Sequence, residues 1–191
     1  MSAADFLLTR GMQKVLGSTF ANPERSFTLN ELLACAGGGH GSSQRQIERL
    51  IAAGVLEEGP RRARQRCIKA NTGYFLYPEL RSIALKSFAL AEPLHEALKP
   101  FEREIEEAFV FGSVAKGTDT HRSDIDLIVV GDAPLIALTD ALLDVEQTIG
   151  RAIHLNLYTS TEWVRLKQTD PVLAQISEAS KIRILPRATL D

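Results

Sequence analysis

Cysteine is scarce in this chain: Cys35 and Cys67 are the two among 191 residues. They have no further Cys or His beside them at zinc-binding spacing, which argues against a disulfide scaffold and a structural zinc site. Both are expected as small buried residues in a reducing compartment. Long apolar runs are also missing. No stretch approaches the roughly 18 apolar residues of a membrane span, and MSAADFLLTRGMQ lacks the charged and apolar regions of a secretory leader. The expectation is a cytoplasmic protein with no membrane partner. Internal repeats and low-complexity tracts are absent, and the net charge is only −2. What is present is an ordinary globular composition, 45% hydrophobic and 24% charged, enough for a core of its own. The charge is uneven. Residues 1–75 hold ten Lys/Arg against six Asp/Glu, and residues 76–191 hold twelve against eighteen. A basic front and an acidic back suggest two modules with different partners.

The front reads as helices followed by a hairpin. Phe6, Leu7, Met12, Val15 and Leu16 predict a helix over 4–16 that stops at Gly17. Thr28 with Glu31 forms a capping-box pattern opening a second helix, whose apolar face is Leu29, Leu32, Leu33 and Ala36. After the glycine-rich turn 37–41, Ser42 or Ser43 caps a third helix with Ile47, Leu50 and Ile51 inward, closed at Gly54. Strands are predicted at 55–58 and 66–70, with a Gly-Pro-Arg-Arg-Ala-Arg tip between them. Residues 74–100, interrupted by Pro78, Pro93 and Pro100, read as a helical connection, with one helix broken before Pro93 and another from about Leu94 to Glu107.

From Ala108 the period changes. AFVFG and IDLIVV are short apolar runs of the buried-strand kind. Residues 135–150 predict an amphipathic helix with Leu135, Leu138, Leu142, Val145 and Ile149 inward. A strand follows at 153–159, then helices at 160–168 and 171–180, and a last strand at 182–185.

The chemistry concentrates at Phe111-Gly112-Ser113-Val114-Ala115-Lys116-Gly117 and Ser123-Asp124-Ile125-Asp126-Leu127. A strand ending at Gly112-Ser113 and turning into helix presents free N–H groups, suited to phosphate. Gly112 permits close backbone approach, Ser113 offers a hydroxyl, and Lys116 and Ser123 are further phosphate-side candidates. Asp124 and Asp126, one residue apart on a strand, face the same side. Paired carboxylates repel unless a cation lies between them, and Mg²⁺ typically joins one or two carboxylates to substrate phosphates. His121 and Arg122 lie in the loop between the two halves of this motif.

Both halves resemble known families. Residues 40–58 are similar to the recognition-helix segment of bacterial winged-helix regulators, a likeness extending over about residues 5–75. FGSVAKGTDTHRSDIDLIVV resembles the signature of polymerase-β-type nucleotidyltransferases in their small bacterial form. That signature is Gly-Ser, a spacer of about ten residues, then Asp-apolar-Asp-apolar; here ten residues separate Ser113 from Asp124. This second likeness covers about residues 101–191. The fold class implied is α+β: an N-terminal winged helix-turn-helix over 1–75, a helical linker over 76–100, and a small mixed-sheet nucleotidyltransferase fold over 101–191.

The resemblance implies that Gly112 and Ser113 hold a triphosphate, ATP or another NTP, while Asp124 and Asp126 are the catalytic carboxylates that hold two Mg²⁺ ions. In the front module it implies double-stranded DNA as partner. Ser42, Ser43, Gln44, Arg45 and Arg49 would lie in a major groove, Arg61, Arg62, Arg64 and Arg66 would form a wing on phosphates, and the whole would act as a homodimer. The family pattern adds a third carboxylate on the next strand. The strand around Ile153–Tyr158 has none; Asn156 is the candidate for that position, beside His154 and the nearby acid Glu162. Three functions stay open. The first is a regulator that transfers a nucleotidyl group to a protein, RNA or small-molecule hydroxyl; related minimal nucleotidyltransferases act as antitoxins that modify a partner toxin. The second is a regulator whose rear domain senses nucleotide without catalysis. In the third, the winged helix is a protein-interaction module.

Overall fold

The computed structural model describes residues 2–120 and 123–186. The chain divides between Leu90 and Ala91 into two compact units. The first begins with turns at residues 3–7 rather than the expected helix. The Asp5 carboxylate accepts from the Ser2 N–H and the Gln13 side-chain amide, and Thr9 caps a helix that starts later, α1 at Arg10–Ala21. Gly17 lies inside α1 with the Phe88 ring packed over it, so it is not the stop predicted from sequence. Phe6 and Leu7, which counted toward the expected helical spacing, are exposed in these turns.

A two-residue strand, β1 (Phe27–Thr28), precedes α2 (Leu29–Ala36). The Thr28–Glu31 capping box is present, and the N–H and hydroxyl of Thr28 hold the Glu31 carboxyl below its usual range. Next, α3 spans His40–Ala52. It starts two residues before the predicted serine caps: Gly39 is its N-cap, without a side-chain bond, and the Ser42 hydroxyl donates back to the Gly39 carbonyl. Strands β2 (Leu56–Arg62) and β3 (Gln65–Ala70) form a hairpin longer than predicted. Ala63 and Arg64 close it, both with positive φ. With β1 on its free side, β3 is the centre of a three-stranded sheet of order β1-β3-β2. Phe20, Leu32, Ile47, Leu56 and Ile68 fill the core between helices and sheet. Cys67 is buried, but Cys35 on α2 is exposed, against expectation.

Residues 76–100 are divided between the units. Helix α4 (Tyr77–Lys86) packs on α1, and its buried Arg81 donates to the Phe20 carbonyl near the end of that helix. Helix α5 (Ala91–Leu98) packs in the second unit. Pro93 falls in the first turn of α5, where proline is tolerated. Pro100 sits in a 3₁₀ turn, and the chain is extended again from Ile105, so the predicted helix to Glu107 does not form.

In the second unit β4 (Ile105–Phe111) leads into a single helical turn, α6 (Gly112–Lys116). Then come β5 (Ile125–Gly131), α7 (Leu135–Ile149), β6 (Ile153–Tyr158), α8 (Ser160–Thr169), α9 (Pro171–Glu178) and β7 (Ile182–Leu185). The sheet order is β6-β5-β4-β7. Parallel β5 and β6 need the crossover that α7 supplies, while β4 is antiparallel to β5 and to β7. One sheet face carries Phe109, Ile128 and Val130 against Trp163 of α8, flanked by Phe111, Tyr158, Leu173 and Ile176. Ile125, Leu127 and Val129 alternate with these and are equally buried, so β5 is covered on both faces. Asp126 falls in the set of Ile128 and Val130.

Gly131 ends β5 with φ +150°, and a Cβ there would run into the Glu104 carbonyl. Gly117 has φ +72° with nothing within 4 Å of such a Cβ. Gly131→Ala is expected to lower stability by at least about 2 kcal/mol and Gly117→Ala by only about 1 kcal/mol. Chemical denaturation of both variants checks the ordering; equal losses would contradict the β4–β5 register.

Candidate functional site

The site begins where β4 ends. Phe111 is extended, and Gly112 swings to φ +72° as the chain enters α6. That left-handed conformation favours glycine. A second constraint is steric: a Cβ on Gly112 would collide with the Asp126 carboxylate. The register explains the contact, since Phe111 is paired with Asp126 across β4–β5. The Gly112-Ser113 turn is therefore pressed against the second aspartate, as the sequence spacing required. Asp124 is exposed, just ahead of β5, and Asp126 is partly buried.

On the other side β6 places His154 beside Asp126, with His154 Nδ1 3.9 Å from Asp126 Oδ1. Asn156, the residue favoured from sequence for the third position, sits one step further along, opposite Ile128. Its amide points to the Leu127 and His154 carbonyls. Strand alternation gave the face correctly, but the neighbour of Asp126 is His154. Glu162, the other candidate acid, is committed elsewhere: it forms a capping box with Thr159 at the start of α8, and bonds from the Thr159 N–H and hydroxyl hold its pKa down.

The loop between the two halves of the motif is tied from behind. Ser123 Oγ accepts from the Thr120 N–H, which leaves its O–H as a donor. Buried Arg151, between α7 and β6, donates Nε and Nη2 to the Ser123 carbonyl and pairs through Nη1 with Asp119 at 2.7 Å. Sequence reading missed both Arg151 and Asp119. His121 and Arg122 lie outside the described residues. Lys116 is exposed on the wall of an open groove of about 890 Å³, facing Lys167, Gln175 and Ser177.

Among the described residues no three His, Cys, Asp or Glu side chains converge into a self-sufficient metal cage. The Asp126 carboxylate lies against Gly112, with Ser113 next in the chain after the glycine and Asp124 two residues before the acid, a partial set of oxygen donors. Such a set fits a hard divalent cation that completes its shell with phosphate oxygens.

The family model for polymerase beta nucleotidyltransferases matches residues 92–188. The chain belongs to the polymerase beta nucleotidyltransferase family. The match takes in α6, β5, β6 and α7, so each side chain of the site belongs to the nucleotidyltransferase domain. A solved structure described as "Crystal structure of the toxin-antitoxin with AMP-PNP" aligns at 18% identity and TM-score 0.39, over 52% of this chain and 75% of that chain. No curated protein matches. Among the described residues no helix is long and apolar enough to cross a membrane.

Ahead of the nucleotidyltransferase domain, the basic residues separate into two groups. Ser42, Gln44, Arg45 and Arg49 are exposed on α3, and Arg61 and Arg64 are exposed at the hairpin tip. Ser43, expected at the surface, is buried. Arg62 donates to the Ser26 carbonyl and pairs with Glu31. Arg66 bonds Glu48 of α3 and Glu58 of β2, chiefly Glu48, which raises its pKa further. Arg66 thus clamps the hairpin to the helix.

The collision at Gly112 gives a direct test of the site geometry. Gly112→Ala is expected to destabilise by about 2 kcal/mol or more, from backbone strain plus displacement of Asp126. In an Asp126→Ala background the same change should be milder by at least about 0.5 kcal/mol, the coupling of touching residues. Additive losses in this cycle would mean that the two residues do not touch.

Proposed function

We propose that the second unit binds a nucleoside triphosphate with divalent cations at the corner made by Gly112, Ser113, Asp124 and Asp126, and transfers its nucleotidyl group to an acceptor hydroxyl. The supporting observation is the closeness of Gly112 to the Asp126 carboxylate, which brings the phosphate-side turn and the cation-side acids to one point. The Ser113 hydroxyl and the backbone N–H groups after Gly112 would hold the phosphate chain, with Lys116 at its margin. Asp124 and Asp126 would hold Mg²⁺, which supplies charge neutralisation along the triphosphate and at the leaving group. In the transfer, the acceptor oxygen bonds to the α-phosphorus, the bond from that phosphorus to the bridging oxygen of the β-phosphate breaks, and pyrophosphate leaves. The hydroxyl proton passes to water. ATP is the simplest donor, and the acceptor class spans protein side chains and RNA ends.

A second reading has its own support: β6 offers His154, Asn156 and Tyr158 toward the side of Asp126, and no acid. An amide is not a general base. In this reading the domain senses nucleotide without transferring it.

The first unit we read as a winged helix-turn-helix that binds double-stranded DNA, paired as a homodimer on two half-sites. Its helix order, the three-stranded sheet and the exposed arginines on α3 and the hairpin tip support this; on this reading the whole protein is a regulator working in the cytoplasm.

Two experiments test these readings. Incubation with ATP labelled at the α-phosphate should leave label on an acceptor supplied from cell extract, and γ-label should leave none. Label that stays on nucleotide, with DNA affinity that shifts when ATP is added, favours the sensor instead. For the first unit, Arg61→Ala and Arg64→Ala should each weaken binding to all duplexes alike and reduce the salt slope by about 1. Arg66→Ala should act mainly on stability, by about 1 kcal/mol or less because the pair is part-exposed. Unchanged salt slopes in the tip variants would remove the wing from the interface.

A further inference from the structure

We infer that Arg151 is a positioning residue for the cation site, holding Asp124 in place through the backbone of Ser123. This rests on the reading of Asp124 and Asp126 as cation ligands. The Arg151 side chain is 2% exposed and that of Asp119 is 0% exposed. One guanidinium grips both ends of the described part of the loop: Nη1 is 2.7 Å from Asp119 Oδ2, and Nε and Nη2 are 2.9 and 2.6 Å from the Ser123 carbonyl oxygen. The next residue after that carbonyl is Asp124. The ladder starts immediately afterwards, where the Ile125 N–H donates to the Ala152 carbonyl at 2.8 Å. Two residues beyond Arg151, the Ile153 N–H donates to Glu146 of α7, which ties the start of β6 to that helix.

Stability alone is a weak reason for such a pair. Two buried charges lose hydration, and replacing them by apolar groups of similar volume is commonly neutral or stabilising. What the pair provides is a fixed position for the Ser123 carbonyl, and so for the peptide that leads into Asp124. Asp124 precedes the strand and lies at the surface, and without a cation the two aspartates repel each other. A tether on the peptide bond between Ser123 and Asp124 resists that repulsion. The carboxylate is then presented before the cation arrives, and binding does not have to fix the backbone at Asp124. Arginine suits this role better than lysine, because its planar fork can direct two donors at one carbonyl while a third meets the acid.

The test uses Mn²⁺ as probe, with free Mn²⁺ followed by electron paramagnetic resonance in the absence of nucleotide and again with a non-hydrolysable ATP analogue. The double variant Arg151→Met/Asp119→Leu replaces the pair by apolar groups. It should keep a melting temperature close to wild type yet bind Mn²⁺ about 10–100-fold more weakly, the usual effect of removing a group that orients a ligand. Arg151→Lys keeps the charge and the link to Asp119 but loses the double grip on Ser123. It should bind Mn²⁺ several-fold more weakly, and it carries the test should the double variant fail to fold. Wild-type affinity in either folded variant overturns the inference while leaving the site intact. If wild type binds no Mn²⁺, or binds it equally well with Asp124→Asn/Asp126→Asn, the site reading fails and the inference falls with it.

Discussion

The second unit depends on one contact, that between the backbone of Gly112 and the carboxylate of Asp126. Everything around it can be seen as a means of making that contact. The β4–β5 register sets Phe111 opposite Asp126. The left-handed turn at Gly112 takes the chain away from the sheet at the only residue type with room to do so. Buried aromatic and aliphatic groups on the same sheet face, Phe109, Ile128 and Trp163, keep both strands flat against α8. A carboxylate this close to a peptide is poorly placed unless something positive shares the space. His154 stands at 3.9 Å from that carboxylate, and on the proposed reading a divalent cation and a phosphate chain share the remaining space.

The first unit follows a different logic. Its core is built from helix stripes closed by a small sheet, and its ion pairs are spent on shape. Arg66 joins the hairpin to α3 through Glu48, and Arg62 joins it to Glu31 and Ser26. Arg61 and Arg64 at the hairpin tip and Arg45 and Arg49 on α3 are exposed, and on the proposed reading they are the ones that face DNA. A run of four arginines in six positions is therefore two groups, Arg62 and Arg66 joining elements and Arg61 and Arg64 exposed at the tip, a division that composition cannot reveal.

How much was legible in the sequence depended on whether the governing interaction was local. The 135–149 helix, the strand at 153 and the two short helices after it follow from apolar period and turn chemistry, and the structure places them where predicted, except that Leu135, expected inward, is exposed at the start of α7. The capping box at Thr28 is a local pattern as well. Gly17 was misread because a glycine in a helix looks like a stop until its neighbour Phe88 is known. The helix expected through Glu107 failed because Glu104 to Glu107 carry good helix formers, yet pairing with β5 takes over from Ile105. β1 is two residues long and exists only by pairing with β3, some 40 positions away. The meeting of Gly112 with Asp126 was readable because the spacing of the motif is itself the signal. Its surroundings were not: alternation put His154 and Asn156 on the same face but could not say which of them stands beside Asp126. Nothing in the sequence joins Arg151 to Asp119 across 32 positions. That link is a tertiary choice made by the crossover from α7 to β6.

The central claim is that Gly112, Ser113, Asp124 and Asp126 form one metal and nucleotide site, and isothermal titration with Mg²⁺-ATP tests it most directly. Wild type should bind with an affinity that depends on Mg²⁺, and both Asp126→Asn and Gly112→Ala should abolish binding while the proteins stay folded at the temperature of the experiment. Binding that survives both substitutions, or no binding of any nucleoside triphosphate by wild type, would contradict the account and leave the corner as a feature of the fold alone.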